Sequence, residues 1–449
     1  MSKQRIQLSD HFTYSRLLRF VLPCIGTMLF TSIYGIVDGL CVSNFVGKTA
    51  FAAVNLIMPL PMLLGTIGFM LGTGGSAIVG ITLGEGDQKK ADRYFTLFLL
   101  AALVSVSVLA VLGIVFLRPI AVLLGAKGEL LDYAVRYGRI LMVSLPTFAL
   151  QNMFQSFFVT AEKPHLGFWF TVGAGCTNMV LDVLMVGIWG WGVEGAAIAT
   201  FISQLVGGVL PVFYFIDRSN SSRLHLCKTS FYSKVLRDAC INGSSELMTN
   251  LSMSLVNILY NYQLLRLAGE NGVAAYGVIM YAAFLFVAVF VGYAVGSAPI
   301  VSFHYGARNH AEVHNLYRKS LRLIAVVAVT LTLASMFIIP CVARIFVGYD
   351  AELLALTSRA FRLYALSFLI MGFNVYASSF FTALGDGVTS ALISFLRTLA
   401  FQVKANLLMP LLLGIDGIWL AVTAAELAAL AVSAAMLLTK DKVFHYRKA

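Results

Sequence analysis

Apolar stretches of about 20 or more residues recur along the whole chain and are separated by short polar segments. A helix of this length crosses the ~30 Å hydrocarbon layer of a bilayer, because each residue rises about 1.5 Å. The pattern therefore predicts an all-α integral membrane protein. We predict twelve transmembrane helices at residues 18–42, 50–80, 94–117, 133–160, 165–188, 193–216, 238–265, 272–303, 320–343, 358–383, 388–412 and 417–438. The first stretch is too long for a signal-peptide core and lacks a small-residue cleavage site, so we expect it to be retained.

Composition and charge agree with lipid as the main solvent of this chain. Of 449 residues, 59% are hydrophobic and 12% are charged, and the mean hydropathy is +0.85. The net charge is +11, and placing the N-terminus inside puts most of the 32 Lys and Arg residues in cytoplasmic segments. We therefore expect a multi-pass protein of the cell membrane with both termini in the cytoplasm. The positive charge indicates topology, and no nucleic-acid partner is expected.

The two halves of the chain repeat each other. GKTAFAAVNLIM at residues 47–58 aligns without a gap with GENGVAAYGVIM at 269–280, a shift of 222 positions. The same shift aligns GVEG at 192–195 with GIDG at 414–417. One shift that recurs along the sequence indicates an internal duplication.

Each half holds six predicted spans, so both halves enter the membrane in the same orientation and form a parallel repeat. We predict an N-lobe at residues 1–216, a cytoplasmic linker at 217–236 and a C-lobe at 237–449. Two bundles that meet at a central seam suit a secondary transporter, in which one lobe rocks against the other around a central site. Duplication is also a simple route to any large membrane protein, and that alternative stays open.

Four of the polar residues inside the predicted spans of the first half are candidates for an ion site, because a charge within the membrane costs about 2.5–3.5 kcal/mol and needs a partner, water or a function. Asp38 lies near the outer end of span one, Asn178 and Asp182 lie four residues apart on one face of span five, and Thr200 lies in span six. Counting residues from the span ends places all four in the outer half of the N-lobe. This oxygen-rich set suits a proton or a small hard cation such as Na⁺, with Asp38 and Asp182 supplying the charge. The alternative is that Asp38 is hydrated and that the amide and hydroxyl groups bond neighbouring helices.

The second half lacks an equivalent set. The repeat mate of a residue is the residue 222 positions away in the other half, and the repeat mate of Asp182 is Lys404. Three other charged residues fall near mid-membrane: Glu246 on span seven, Arg397 on span eleven and Glu426 on span twelve. Arg397 is a candidate partner in a buried ion pair with Glu246 or Glu426. Alternatively, Glu246 lines a central cavity and attracts a cationic substrate. Coupling to an ion is expected to reside in the N-lobe alone.

A hinge and an apolar cavity complete the candidate machinery. Pro23 removes a backbone hydrogen bond from the span that carries Asp38, so it is a candidate hinge, although proline is also common in membrane helices for packing. Large flexible side chains are candidates for an adaptable hydrophobic cavity, although each alone would equally serve packing or lipid contact. These residues are Met28, Phe30, Tyr34, Phe154, Phe157, Met280 and Phe284.

Sequence motifs for nucleotide hydrolysis and for other catalysis are absent from the chain. The glycine run GTGG at residues 72–75 is not followed by GK[ST] and lies in an apolar span, where small residues favour close helix packing. We therefore expect neither ATP-driven transport nor an enzyme, and no metal or cofactor beyond Na⁺ or H⁺ as the coupling ion.

Four sequence segments together resemble the multidrug and toxic compound extrusion family, MATE, and within it the bacterial MepA-like branch. They are YGIVDGLCVSNFVG at 34–47, GTGGSAIVG followed by LGEGD at 72–87, NMVLD at 178–182 and GVEGAAIAT at 192–200. The resemblance covers essentially the whole chain. It implies twelve helices in two lobes, a monomer, and efflux of amphipathic organic cations in exchange for inward Na⁺ or H⁺.

The resemblance also implies roles for particular residues. Asp38, Asn178, Asp182 and Thr200 match the first-lobe cation site of the family, and Glu246 matches an acidic position in the second lobe. Some members carry an aspartate in span ten, where this chain has Asn374 as the comparable polar group.

A lipid-linked oligosaccharide flippase of the wider superfamily is the alternative function. Such a protein would favour a cationic cavity that holds pyrophosphate. Arg397 and Lys404 keep this alternative open, whereas the acidic first-lobe set argues against it.

Overall fold

The computed structural model describes residues 6–46, 48–348 and 350–446, and every regular element in these ranges is a helix. Twelve long helical segments, α1 to α12, follow one another through short connections. Their bounds are α1 Tyr14–Phe45, α2 Pro59–Gly84, α3 Gln88–Leu123, α4 Gly128–Thr160, α5 Pro164–Ile188, α6 Gly192–Ile216, α7 233–268, α8 270–306, α9 His310–Val347, α10 Ala351–Ala365 with Phe368–Ala383, α11 Gly387–Leu413 and α12 Ile415–Thr439. Short helices at Lys48–Ile57 and Asp441–Phe444 precede α2 and follow α12.

These helices have the length and apolar character of membrane spans. Within the described ranges, nine helices qualify on both counts, and the pair that forms α10, bent by 46°, makes ten. One of the nine is the 74-residue run Ser233–Gly306, which contains both α7 and α8 because Gly269 interrupts it with φ 61° and ψ −151°. The remaining segment, α4, has 33 residues and carries charged residues near its start. The predicted all-α integral membrane fold of twelve helices is confirmed.

In the described part of the chain, three of the spans contain a segment of π-helix, in which the turn is wider than in an α-helix. The segments are Val183–Ile188 in α5, Leu205–Val209 in α6 and Leu396–Ala400 in α11. The first begins directly after Asp182, and the third contains Arg397. Such segments change which way the following side chains face, and they are frequent at functional sites.

Two glycines that are mates in the sequence repeat bring the lobes together. Gly84, at the end of α2, lies against the backbone of Phe303 and Ala307 in and just after α8, and Gly306 lies against the backbone of Ile81 in α2. Gly306 is the repeat mate of Gly84, and Phe303 is the repeat mate of Ile81, so the two contacts are equivalent. A β-carbon on either glycine would collide with the facing backbone, which is why small residues are favoured at such helix contacts.

Other glycines extend this contact between the lobes. Gly292 of α8 lies against the backbone of Ile25 in α1, and Gly243 of α7 lies against the backbone of Met70 in α2. The predicted topology places these parts of the helices toward the cytoplasm. The two lobes therefore touch through close backbone contacts on that side.

The N-terminal segment before α1 crosses from one lobe to the other. The backbone N–H of Leu8 donates to Oε1 of Glu162, between α4 and α5, at 2.9 Å. The N–H of Phe12 donates to Oε1 of Glu312, in the first turn of α9, at 2.9 Å, and Nδ1 of His11 lies 2.6 Å from Oε2 of the same carboxylate. Leu8 and Phe12 are fully buried. This segment thus ties the two lobes together at the same end as the glycine contacts.

The connection between the halves runs without regular helix from residue 217 to residue 232, and α7 begins at Ser233. It is held along the N-lobe, where the N–H of His225 donates to Oδ1 of Asp92 at 3.0 Å and the N–H of Cys227 donates to Oγ1 of Thr96 at 3.1 Å. These bonds fix the path of the connection beside α3.

Candidate functional site

A cavity of about 330 Å³ lies among the helices of the C-lobe. Its walls come mainly from α7, α8, α10, α11 and α12, and the N-lobe contributes Thr73, Ser76 and Ser156. A cavity of this size, with apolar walls and a few polar groups, is typical of a site for a small organic molecule. Large apolar and aromatic side chains in the wall include Met253, Tyr260, Tyr276, Met280, Phe284, Tyr364 and Met371.

Three charged side chains line the cavity in the described part of the chain: Glu246, Arg397 and Glu426. Nε of Arg397 donates to both carboxylate oxygens of Glu426, at 2.9 Å and 3.1 Å. The two side chains are only 14% and 2% exposed, so the pair is well shielded from water. Its hydrogen bonds are charge-assisted because the donor and the acceptor are both ionised. Of the two partners expected for Arg397, the structure pairs it with Glu426.

Glu246 lies on α7, partly exposed, and lines the same cavity. Its side chain forms no direct ion pair with any described residue. The cavity therefore contains one matched pair of charges and one carboxylate outside that pair.

Asn374 and Ser433 extend the ion pair into a hydrogen-bond network. Nδ2 of Asn374 donates to Oε2 of Glu426 at 2.7 Å and to the backbone carbonyl of Glu426 at 2.9 Å. Oγ of Ser433 donates to Oδ1 of Asn374 at 2.9 Å. Sequence reasoning did not connect either residue with Glu426. The available signal was the spacing of Glu426 and Ser433, seven residues apart on one face of α12.

Two stacked tyrosines form part of the aromatic wall. The rings of Tyr260 and Tyr276 are nearly parallel, 3° apart, with centroids separated by 5.4 Å. The hydroxyl of Tyr260 donates to Oε1 of Gln402 at 3.0 Å, and that of Tyr276 donates to Oδ1 of Asn257 at 2.7 Å. These bonds fix the ring planes, and the faces of aromatic rings attract organic cations.

A cluster of hydroxyl groups lies between α10 and α11 beside the cavity. Oγ of Ser378 lies 2.9 Å from Oγ of both Ser390 and Ser394, and Oγ1 of Thr382 donates to Oγ of Ser390 at 2.7 Å. Ser378, Thr382 and Ser394 reach the cavity wall. Their spacing of four residues on each helix was the signal for this cluster, which the predicted site did not include.

The polar residues predicted on α5 are buried inside the N-lobe. Asn178 is 2% exposed and Asp182 is fully buried, one helical turn apart. The amide atoms of Asn178 have no hydrogen-bond partner among the described residues. Helix α5 packs against α1 and α6, which carry Asp38 and Thr200. The side chain of Asp38 lies outside the described part of the structure.

Lys404 on α11 is the repeat mate of Asp182, but the two side chains have different surroundings. Lys404 is exposed on the outside of the helix bundle and does not line the cavity, whereas Asp182 is fully buried. Of the two cations on α11, only Arg397 contributes to the cavity.

Phe154 and Phe157, two candidate cavity residues, lie outside the C-lobe cavity. Both are almost completely buried. Phe154 stacks on Phe215 of α6 with ring centroids 5.5 Å apart, and Phe157 packs against Phe95 of α3 at 4.8 Å. Their spacing of three residues puts them on one face of α4, which points into the core of the N-lobe.

The other candidate cavity residues divide between the lobes. Met280 and Phe284 line the cavity, together with Glu246. Met28 and Tyr34 of α1 do not reach it. Met28 borders a small crevice among α1, α4, α5 and α8, and Tyr34 contacts Phe30 with ring centroids 6.2 Å apart.

Pro23 lies inside α1, which continues without a break from Tyr14 to Phe45. The carbonyl of Pro23 accepts a hydrogen bond from Oγ1 of Thr27 at 2.9 Å. The role of Pro23 as a hinge remains a prediction.

The fold and the cavity define a polytopic all-α membrane protein of two repeated six-helix lobes, with a charged and aromatic cavity in the second lobe. The sequence model of the MatE family matches this chain twice, at residues 23–184 and 247–408. The chain belongs to the MatE family. The two matches fall one in each half, as the repeat requires.

Individual relatives agree with this membership over almost their full length. The chain is 21% identical over 436 residues to the multidrug export protein MepA of Staphylococcus saprophyticus, covering 96% of this chain and 95% of that protein. It is 22% identical over 433 residues to MepA of Staphylococcus aureus strain MSSA476, with coverage of 96% and 95%. A solved structure described as an outward-facing multidrug resistance MATE family transporter superposes with a TM-score of 0.91 at 22% identity, covering 100% of both chains.

Proposed function

We propose that this chain is a secondary active efflux transporter that exports amphipathic organic cations in exchange for inward Na⁺ or H⁺. The observation that carries the proposal is the cavity in the C-lobe, which combines apolar and aromatic walls with Glu246, a carboxylate that has no direct ion-pair partner among the described residues. A carboxylate in such a place favours a positively charged ligand, because the surrounding protein screens the attraction less than water does. The names of its MepA relatives, multidrug export proteins, support the same activity.

The coupling ion is proposed to bind in the other lobe. Asn178 and Asp182 offer buried oxygen atoms on α5, and α5 packs against the helices that carry Asp38 and Thr200. Carboxylate, amide and hydroxyl oxygens suit Na⁺, and carboxylates equally suit a proton. A cation that moves inward across about 100 mV releases about 2.3 kcal/mol, and a monovalent cation that moves outward costs the same amount, so the potential supplies net energy only where more positive charge enters than leaves.

Alternating access is proposed to convert this energy into export. The backbone contacts of Gly84 and Gly306 hold the lobes together on the side that the predicted topology places in the cytoplasm. Separation of these contacts would open the cavity to that side, and a bend of α1 at Pro23 would link the movement to Asp38. The protein is proposed to act as a monomer in the cell membrane with both termini in the cytoplasm.

The flippase alternative is less well supported. A site for pyrophosphate needs excess positive charge, but Arg397 is paired with Glu426 and Lys404 lies outside the cavity. The charge that is left is negative, which favours the export of cations.

The test is transport of ethidium in proteoliposomes under an imposed Na⁺ or pH gradient, comparing the wild type with Asp38→Asn and Asp182→Asn. We expect one of the two gradients to drive ethidium transport in the wild type, and both variants to lose that coupling while they still bind ethidium at the C-lobe cavity. Arg136→Gln is a matched surface control, since its side chain is 64% exposed, and it should transport normally. Transport that survives both Asp variants unchanged would refute the N-lobe coupling site, and absence of gradient-driven transport in the wild type would refute efflux.

A further inference from the structure

We propose that the Arg397–Glu426 pair limits the cavity to a single net negative charge, so that the transporter selects substrates with one positive charge over substrates with two. This inference rests on the proposed function and specifies the substrate class of the same cavity. It makes Arg397 a residue that determines specificity, although Arg397 is itself a cation in a site for cations.

The first step is the permanence of the charge on Arg397. A guanidinium group remains protonated under all physiological conditions. Its Nε is held by both oxygens of Glu426, and Asn374 donates to the same carboxylate. A buried carboxylate bound in this way is already neutralised, and it has no spare charge with which to bind a substrate.

The second step is the charge balance of the wall. Glu246, Arg397 and Glu426 are the charged residues among those that line the cavity in the described structure. The pair contributes no net charge, so Glu246 contributes the whole net charge of the wall. One positive charge on a ligand is matched by Glu246.

The third step is the cost of a second positive charge. A charge that leaves water for a largely apolar cavity must find a counter-charge or lose its hydration energy. After the first charge has met Glu246, the charged groups that remain in the wall are Arg397 and Glu426, whose charges cancel, so no net negative charge is left to match a second positive charge. Removal of Arg397 would expose the Glu426 carboxylate and provide a second negative charge.

Two dyes with the same phenanthridinium ring make this measurable. Ethidium carries one positive charge, whereas propidium carries a second charge on a quaternary ammonium side chain. The experiment titrates each dye onto the purified full-length protein at pH 8.5, follows dye fluorescence and compares the two Kd values. The wild type should favour ethidium, and Arg397→Met should shift the ratio of Kd values toward propidium by about tenfold or more.

Three further variants separate charge from loss of structure. Lys404→Met applies the same substitution to the exposed lysine of the same helix and should keep the wild-type ratio. Arg397→Lys retains the positive charge and should keep the preference for ethidium. The double variant Arg397→Met with Glu426→Gln removes both members of the pair, restores the single net charge of Glu246 and should also return toward the wild-type ratio, even where Arg397→Met alone is too unstable to assay.

The outcomes distinguish this inference from the proposed function. A folded Arg397→Met variant that binds ethidium and keeps the wild-type ratio would overturn the inference and leave cation efflux standing. If Arg397→Met does not fold, the single variant Glu426→Gln decides, because it should leave no net charge and weaken both dyes; unchanged binding of both dyes would overturn the inference. A wild type that binds neither dye would refute the proposed cation site itself, and the inference with it.

Discussion

At the scale of single residues, the chemistry of the cavity depends on which charges are already matched. Arg397 and Glu426 satisfy each other, and Asn374 and Ser433 complete their hydrogen bonds. Glu246 stands outside this network. It is therefore the side chain whose charge is available to a ligand, and its replacement should affect binding much more than folding.

The substitution Glu246→Gln tests this directly, because glutamine has nearly the same shape without the charge. We expect the Kd for ethidium to rise by about tenfold or more, since the attraction between the carboxylate and the cation is lost in a poorly screened site. The melting temperature should change little, because Glu246 forms no direct ion pair with any residue that the structure describes. Fluorescence titration and a thermal shift assay on the same preparation measure both quantities.

Glu194→Gln is the matched control for this prediction. Glu194 lies at the start of α6, its side chain is 49% exposed and it does not line the cavity. Its replacement should leave ethidium binding unchanged. Equal Kd values for Glu246→Gln and the wild type would show that the cavity does not use this carboxylate.

At the scale of helices, Gly269 separates α7 from α8 without a loop. Its φ of 61° and ψ of −151° lie in a region that only glycine adopts readily. A residue with a β-carbon at this point would strain the break between the two spans. The sharp reversal between two membrane helices therefore depends on one glycine.

The substitution Gly269→Ala should destabilise the protein by about 1–3 kcal/mol and lower its melting temperature. Gly277→Ala is the control in the same helical run, since a β-carbon there would meet nothing within 4 Å and alanine favours a helix by up to about 1 kcal/mol relative to glycine. Thermal unfolding followed by circular dichroism compares the two variants. If Gly269→Ala were as stable as Gly277→Ala, the backbone at residue 269 would not have the strained conformation described.

The helices themselves could be predicted from the sequence, because a segment that crosses lipid must satisfy its backbone hydrogen bonds internally and therefore forms a helix. The direction of each side chain could not be predicted in the same way. Counting residues gives depth but not the face of the helix. The π-helical segment Leu396–Ala400 changes that face within α11, so that Arg397 enters the cavity and Lys404 faces outward.

The same limit explains why the residues that line the C-lobe cavity could not be selected from the sequence alone. Met280 and Phe284 line it, whereas Phe154 and Phe157 are of similar character but point into the core of the N-lobe. Apolar residues give no signal that distinguishes a cavity wall from a packed interior. The partner of Arg397 could not be predicted either, because Glu246 and Glu426 lie at similar depth. Only the structure shows that Arg397 binds Glu426.

At the scale of the whole molecule, the duplication of the sequence appears again in the contact between the lobes. Gly84 meets the backbone near Phe303, and its mate Gly306 meets the backbone of Ile81, the mate of Phe303. Because the two contacts are equivalent in the repeat, both halves contribute equally to holding the lobes together on this side. If separation of the lobes on this side is a step of transport, both glycine contacts must break together.

Symmetry therefore predicts that Gly84→Val and Gly306→Val have the same effect. Each added side chain would collide with backbone of the other lobe, so each variant should hold the lobes apart on this side. Ser302, fully buried next to Gly80, serves as a reporter when it is replaced by cysteine in a chain whose native cysteines are replaced by alanine. Maleimide should label this cysteine several-fold faster in both variants than in the unaltered background, whereas Gly277→Val should leave the rate unchanged. Faster labelling in only one of the two variants would mean that the contacts, although equivalent in the sequence repeat, do not contribute equally to closure.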